Sequence, residues 1–167
     1  MNSTSPKPIW IGSDHGGYEL KQQIIAHLQA RTIPWHDVGS NSAAIVRYPH
    51  FAGAVVEAIL TGDAERGILI CSTGIGMSII ANRYPGIRAA LCTSTYMAKM
   101  TRAHNDANVL CLGGGITGGF EAIDILDTWL AGTFEGGLHR LSLDLIRDAE
   151  ERLNPRGWKA QPASQGS

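Results

Sequence analysis

The chain has 167 residues, 44% hydrophobic and 17% charged, with a formal net charge of -1. That is enough chain for one core and too apolar a composition for a disordered protein. The near-neutral charge, with no Lys/Arg run or basic stripe, excludes nucleic acid and anionic membrane as expected partners.

Met1–Pro8 is polar, lacks the apolar stretch of a signal peptide, and is expected to be a disordered tail. Pro8–Ser13 (PIWIGS) reads as a first strand, followed by a helix over about Tyr18–Arg31 whose Leu20, Ile24, Ile25 and Leu28 share a face. Ile33–Val38 is a second strand despite Pro34 inside it. Gly39–Arg47 is a polar loop, and Tyr48-Pro49-His50 leads into a helix carrying Phe51, Val55 and Ile59. Gly67–Cys71 (GILIC) is apolar throughout, the pattern of a strand covered on both faces. Gly74–Asn82 turns into a short helix, Ile87–Cys92 is a fourth strand, Tyr96–His104 a helix, and Val109–Leu112 a fifth strand. Phe120–Leu130 and Leu138–Leu153 are closing helices, the last striped by Leu138, Leu141 and Leu145. A single domain over 9–153 is expected, with residues 154–167 a flexible, Gly-, Gln- and Ser-rich tail.

Strands and helices alternating at this spacing predict an α/β fold: a three-layer, Rossmann-like sandwich with a five-stranded, mostly parallel sheet. No apolar run approaches the ~20 residues of a membrane span. Ligands in such folds bind beyond the carboxyl ends of the strands, so the strand-end loops at Asp14-His15, Cys71–Gly76 and Gly113–Gly115 become the candidate site. The 20 glycines are bunched there and at Gly136–Gly137, where backbone has to approach a ligand or another chain.

Three segments carry candidate chemistry. Asp14 and His15, side by side between glycines, can orient hydroxyls and exchange protons; a helix-capping aspartate with a bystander histidine accounts for them equally well. Cys71 ends a buried strand, and Ser72, Thr73, Gly74, Ile75 and Gly76 deliver backbone N–H groups to a helix N-terminus. Such termini stabilise anions and favour the thiolate form of a nearby cysteine, an arrangement suited to a reaction that develops an oxyanion as a proton leaves carbon. A cysteine phosphatase is excluded because Met77 stands where its loop-closing arginine belongs. A phospho-accepting receiver domain is excluded because Cys71 and Gly113 replace its aspartate and lysine. Cys92 and Cys111 read as structural; three cysteines without CxxC spacing argue against a disulfide framework and for a reducing cytoplasm. His104-Asn105-Asp106, at a helix end, reads either as a C-cap with a cation near the negative helix pole or with His104 as a general acid. His27, His36, His50 and His139 show no metal-ligand spacing, so no metal is expected.

Together SDHGG, YPHFA, GILICSTGIGMSIIANR, PGIRAALC and RAHNDANVL, in this order, resemble the type B ribose-5-phosphate isomerase family, which also contains the subunits of galactose-6-phosphate isomerase. The resemblance runs from about Ile9 to Leu153. It implies a cofactor-free aldose–ketose isomerase acting on ribose 5-phosphate, ribulose 5-phosphate or a close relative through a cis-enediolate. Cys71 is then the base, Thr73 the hydroxyl beside the reacting oxygens, and the N–H groups of Ser72 to Gly76 the enediolate cradle. His104 opens the sugar ring with Asp14 assisting, while His15, Tyr48 and Asn105 contact substrate. A homodimer or tetramer with shared sites is also implied.

The chain departs from the pattern where typical members hold phosphate with arginine: Gly115, Leu138 and Ser142 stand at those positions. Arg140, His139, Arg102 and Arg47 are the candidates to replace them. The chain therefore also admits the same chemistry on another phosphosugar or an unphosphorylated sugar, or a non-catalytic subunit or sugar-binding module.

Overall fold

The structure, a computed structural model, describes residues 6–153. The C-terminal tail expected at 154–167 and most of the N-terminal one lie outside the described residues. In chain order the elements are β1 (Ile9–Ser13), α1 (Tyr18–Ala30), β2 (Trp35–Asp37), α2 (Tyr48–Thr61), β3 (Gly67–Cys71) and α3 (Ile75–Ala81). They continue as β4 (Ala89–Leu91), α4 (Thr95–Asn105), β5 (Val109–Gly113), α5 (Gly119–Ala131) and α6 (Leu138–Leu153).

Every expected element forms, and the differences lie at strand ends. Pro34 has no N–H to give a ladder, and the Ile33 N–H turns back to the Leu28 carbonyl at the end of α1, so β2 begins only at Trp35. The expected fourth strand loses Ile87, whose N–H closes a turn onto Tyr84, and Arg88, whose N–H goes to the Asn108 side chain. At the start of α4 the Ser94 hydroxyl accepts from the Met97 N–H, a cap that starts the helix at Thr95.

The five strands run in the order β2-β1-β3-β5-β4, and all four pairings are parallel. Alternation along β3 explains the layers. Ile68 and Ile70 face a core with Leu20, Ile24 and Leu28 of α1, Ala98 of α4, and Ile125 and Trp129 of α5. Leu69 and Cys71 face the other way, onto Val55 and Val56 of α2 and Met77 and Ala81 of α3. Fully burying each such aliphatic side chain contributes about 1.5–3 kcal/mol, so β3, buried along its whole length, anchors both layers. From β1 the chain first moves outward to β2 and then crosses to β3 on the other side. The strand order therefore reverses between β1 and β3, whose carboxyl ends carry Asp14 and Cys71.

Behind that reversal lies a buried ion pair. Lys21 is fully buried and its Nζ donates to both carboxylate oxygens of Asp37, at 2.6 and 2.7 Å, and to the Ser40 carbonyl at 2.7 Å. Asp37 also accepts from the Gly39 N–H, and residues 39–40 pair with Ser13 through two main-chain bonds of 2.7 Å. The ammonium thus ties α1 and the 37–40 loop to the end of β1, directly beneath Asp14. Removing one partner of a buried pair leaves the other uncompensated, at a cost of about 3–5 kcal/mol. Lys21→Met is therefore expected to lower unfolding stability by about 3 kcal/mol, at the low end because Asp37 retains some solvent access. Urea denaturation checks it; a loss below about 1 kcal/mol would mean that solvated groups, not this pair, hold the loop.

Candidate active site

At the carboxyl pole of the sheet three loops are joined through their main chains. The Asp14 N–H donates to the Ile70 carbonyl at 3.2 Å, the Gly114 N–H to the Cys71 carbonyl at 2.8 Å, and the Gly115 N–H to the Ser72 carbonyl at 2.9 Å. Gly113 lets the third loop lie against the second, because a Cβ there would meet the Thr73 backbone at 2.8 Å. Gly74 takes a left-handed conformation (φ 76°) that turns β3 directly into α3. That turn brings its N–H within 3.1 Å of the Cys71 sulfur, a donor positioned for negative charge on the thiol. The N–H groups of Ile75, Gly76 and Met77 open α3, where helical carbonyls cannot reach them.

The neighbouring side chains close over this mouth. Asp14 is 6% exposed and its Oδ1 accepts from the Gly16 and Gly17 N–H groups, at 2.9 and 3.2 Å; this holds the turn before α1 and is not a helix cap, because the N-cap residue is Gly17 and no side chain caps the helix. His15 accepts from the Val46 N–H through Nδ1 at 3.4 Å, which leaves Nε2 as the protonated nitrogen of the neutral ring and ties the polar 39–47 loop to the site. The Tyr48 ring, at the start of α2, lies on Gly76 so closely that a Cβ there would meet it at 2.9 Å. Ser72, Thr73 and Ile75 are exposed. The Thr73 hydroxyl accepts from the Ile75 N–H at 3.3 Å.

The remaining expected residues sit elsewhere. Parallel register pairs Gly67 with Val109 and Cys71 with Gly113, and the four steps between them span about 13 Å. His104 and Asn105 end α4, ahead of Val109, and therefore lie at the opposite pole from the Cys71 of their own chain. His139 and Arg140, in the first turn of α6, share that pole. The His104 and His139 rings stack with centroids 3.9 Å apart and planes 15° from parallel, and both Nε2 atoms approach Oε2 of Glu135, at 3.9 and 3.8 Å. Arg140 lines a cleft of about 170 Å³ with Arg88, Asp144, Arg147 and Glu150, and its guanidinium lies 4.7 Å from the Phe134 ring. Arg102 is 7% exposed and engaged by Asp106, the Ala107 and Gly132 carbonyls and the Trp129 ring. Leu138 is 82% exposed, and Gly115 and Ser142 are exposed as well.

The other two thiols, 1% and 0% exposed, lie inside the core. Burial raises Cys92 to about 11, and burial, reinforced by the neighbouring Cys71 and Cys92, raises Cys111 further. Both stay protonated at neutral pH, in keeping with packing roles. Two groups escaped the sequence reading: Lys21, which looks like a surface residue within a helix, and Glu135. Glu135 lies four residues before His139, an i,i+4 spacing that was legible but is interrupted by Gly136-Gly137. No helix among the described residues is long and apolar enough to cross a membrane.

Residues 9–146 match the Ribose/Galactose Isomerase family model. The chain is 43% identical over 148 residues to ribose-5-phosphate isomerase B of Escherichia coli, covering 89% of this chain and 99% of that protein. It is 37% identical over 147 residues to 4-deoxy-4-sulfo-D-erythrose isomerase of Clostridium sp. strain MSTE9, covering 87% and 92%. Among solved structures it resembles Clostridium thermocellum ribose-5-phosphate isomerase B with a TM-score of 0.86 and 49% identity, covering 87% of this chain and 99% of that one.

Proposed function

The chain belongs to the ribose/galactose isomerase family and is a sugar phosphate aldose–ketose isomerase, and we propose that it interconverts ribose 5-phosphate and ribulose 5-phosphate with Cys71 as the base. The observation that carries this is the Cys71 thiol at the strand-order reversal, with the Gly74 N–H on its sulfur and the first turn of α3 beside it. In the reaction the thiolate takes the proton from C2 of the open-chain aldose. The C–H electrons form the C1=C2 bond of a cis-enediolate, whose charge falls to the N–H groups of Ser72 to Gly76. Thr73 passes a proton between the two oxygens, and the thiol returns its proton to C1, leaving the ketone at C2. The residues of one isomerase unit, 9–153, suffice for these steps, and no cofactor takes part.

Ring opening requires a second chain. His104 and Asn105 are at the wrong pole to reach the Cys71 of their own chain, so a homodimer or dimer of dimers brings them to the Cys71 mouth of a partner copy, with Asp14 assisting. Leu138, Leu141 and Leu145, 82%, 61% and 69% exposed along one side of α6, form an apolar stripe that a second copy would cover. If His104 opens the ring, His104→Asn is expected to slow cyclic pentose phosphates about 10²-fold or more. Erythrose 4-phosphate, whose 4-oxygen carries the phosphate and so cannot close a ring, should be spared. Equal losses on both substrates would remove His104 from ring opening.

A second reading keeps the chemistry and changes the substrate. Gly115, Leu138 and Ser142 offer no guanidinium where the family pattern supplies one, and the Clostridium relative is named for a sulfonated tetrose. On this reading the chain discriminates weakly between phosphorylated sugars and free pentoses, tetroses or hexoses. Arg102 is proposed to be a structural residue, which leaves Arg140, His139 and the exposed Arg47 as phosphate contacts. Turnover of a sugar panel, each member with and without its phosphate, separates the two readings. Failure of every sugar would leave a non-catalytic role.

A further inference from the structure

We propose that His104, Glu135 and His139 form a binding site for a divalent transition-metal ion of the zinc class. Two imidazole nitrogens and a carboxylate oxygen are a donor set that suits zinc, nickel or copper. All three ligand atoms lie within 4.8 Å of one another, with Oε2 of Glu135 3.8 Å from one Nε2 and 3.9 Å from the other. A tetrahedral ion about 2.1 Å from each ligand needs them about 3.4 Å apart, so each imidazole nitrogen has to close on the Glu135 oxygen by about half an ångström. The stacked rings already hold both Nε2 atoms near the same oxygen, and binding an ion requires the two exposed rings to tilt out of their stack so that their in-plane lone pairs meet at it. All three side chains are partly or largely solvent-exposed, giving an ion an entry path and leaving its fourth position to water.

The main chain builds this cluster. The Glu135 N–H donates to the Ala103 carbonyl at 3.0 Å, which holds the carboxylate beside the next residue, His104. Gly136 and Gly137, with φ of 69° and 55°, then reverse the chain into α6 and bring His139 back over the His104 ring. The His139 N–H closes that turn on the Gly136 carbonyl at 3.1 Å. Protonating both stacked imidazoles would set two cations face to face, whereas one ion shared by both rings and the carboxylate removes that repulsion. The nearest guanidinium in sequence, Arg140, lies over Phe134.

Metal binding does not depend on the isomerase reading, but one consequence rests on it: an ion on His104 withholds the imidazole that opens the ring, so zinc inhibits turnover of cyclic substrates. The test titrates ZnCl2 into the metal-stripped full chain by calorimetry at neutral pH. The expected result is saturable binding of about one ion per chain, weakened at least about tenfold in Glu135→Gln and in His139→Asn and unchanged in Cys71→Ser. Co2+ in the wild type should show tetrahedral d–d absorption without a sulfur-to-cobalt band, which decides the question even if a variant fails to fold. Absence of saturable binding, affinity unchanged in Glu135→Gln and His139→Asn, or a sulfur-to-cobalt band would each overturn the site. Zinc that binds as described yet leaves ribose 5-phosphate turnover untouched would uphold the site and overturn the role given to His104.

Discussion

Cys71→Ala is expected to reduce isomerisation by about 10²–10⁴-fold, the range of a general base, while leaving the protein folded and able to bind sugar. The side chain lies at the end of β3 and lines the loop mouth, so alanine removes one sulfur atom from the edge of the α2–α3 core and the acceptor of the Gly74 N–H, while the Gly115 N–H on the Ser72 carbonyl and the Ser78 N–H on the Gly74 carbonyl still hold the turn. The loss should fall on kcat, because proton abstraction belongs to the transition state and not to ground-state binding. Exchange of the C2 proton with solvent deuterium, followed beside isomerisation, isolates that step, and both rates should fall together. A variant that still exchanges at a near-normal rate would take Cys71 out of the reaction. Cys92→Ala and Cys111→Ala provide the contrast: their raised, buried thiols have no part in proton transfer, so any loss should track stability.

The double variant Leu138→Arg, Ser142→Arg is expected to raise the preference for ribose 5-phosphate over ribose by about a hundredfold or more. A hydrogen bond to a charged group contributes about 1.5–3 kcal/mol, and each 1.4 kcal/mol is a factor of ten. Two guanidiniums that reach a phosphate bidentately should therefore exceed that figure. Both positions are exposed on the first turns of α6, so the longer side chains meet no packing obstacle within the chain. The wild type, with Leu138 presenting methyl groups instead, should show a weak phosphate preference. The measurement is kcat/KM for ribose 5-phosphate, ribose and allose in both proteins. A wild-type preference of several orders of magnitude, unchanged in the double variant, would show that another group, Arg140 foremost, already holds the phosphate.

Much of this architecture is legible before any coordinates because the chain is locally consistent. GILIC, uniformly apolar between polar flanks, can satisfy its side chains only as a strand covered on both faces, and it does. The glycines around it mark where three loops touch through their backbones. Long-range pairing is harder to read. Nothing around Lys21 announces that Asp37 lies opposite, and a lysine beside Leu20 reads as the rim of an amphipathic helix. The stripe on α6 reads as a core-facing helix, yet α6 buries no residue. Periodicity shows that a face is to be covered without showing which molecule covers it. His104 teaches the same lesson: its neighbours in sequence suggest catalysis, but only the parallel register reveals that its own chain cannot deliver it to Cys71.

That separation makes subunit complementation the most direct test of the account. Cys71→Ala and His104→Asn proteins, each nearly inactive alone, are unfolded together, refolded and assayed with ribose 5-phosphate. If every site takes Cys71 from one chain and His104 from another, half of the randomly reassorted dimers contain one fully wild-type site. Activity should then return to about a quarter of the wild-type value. If both residues serve a site within one chain, every site in the mixture stays defective, and activity that does not rise above the sum of the two parents would contradict the shared site.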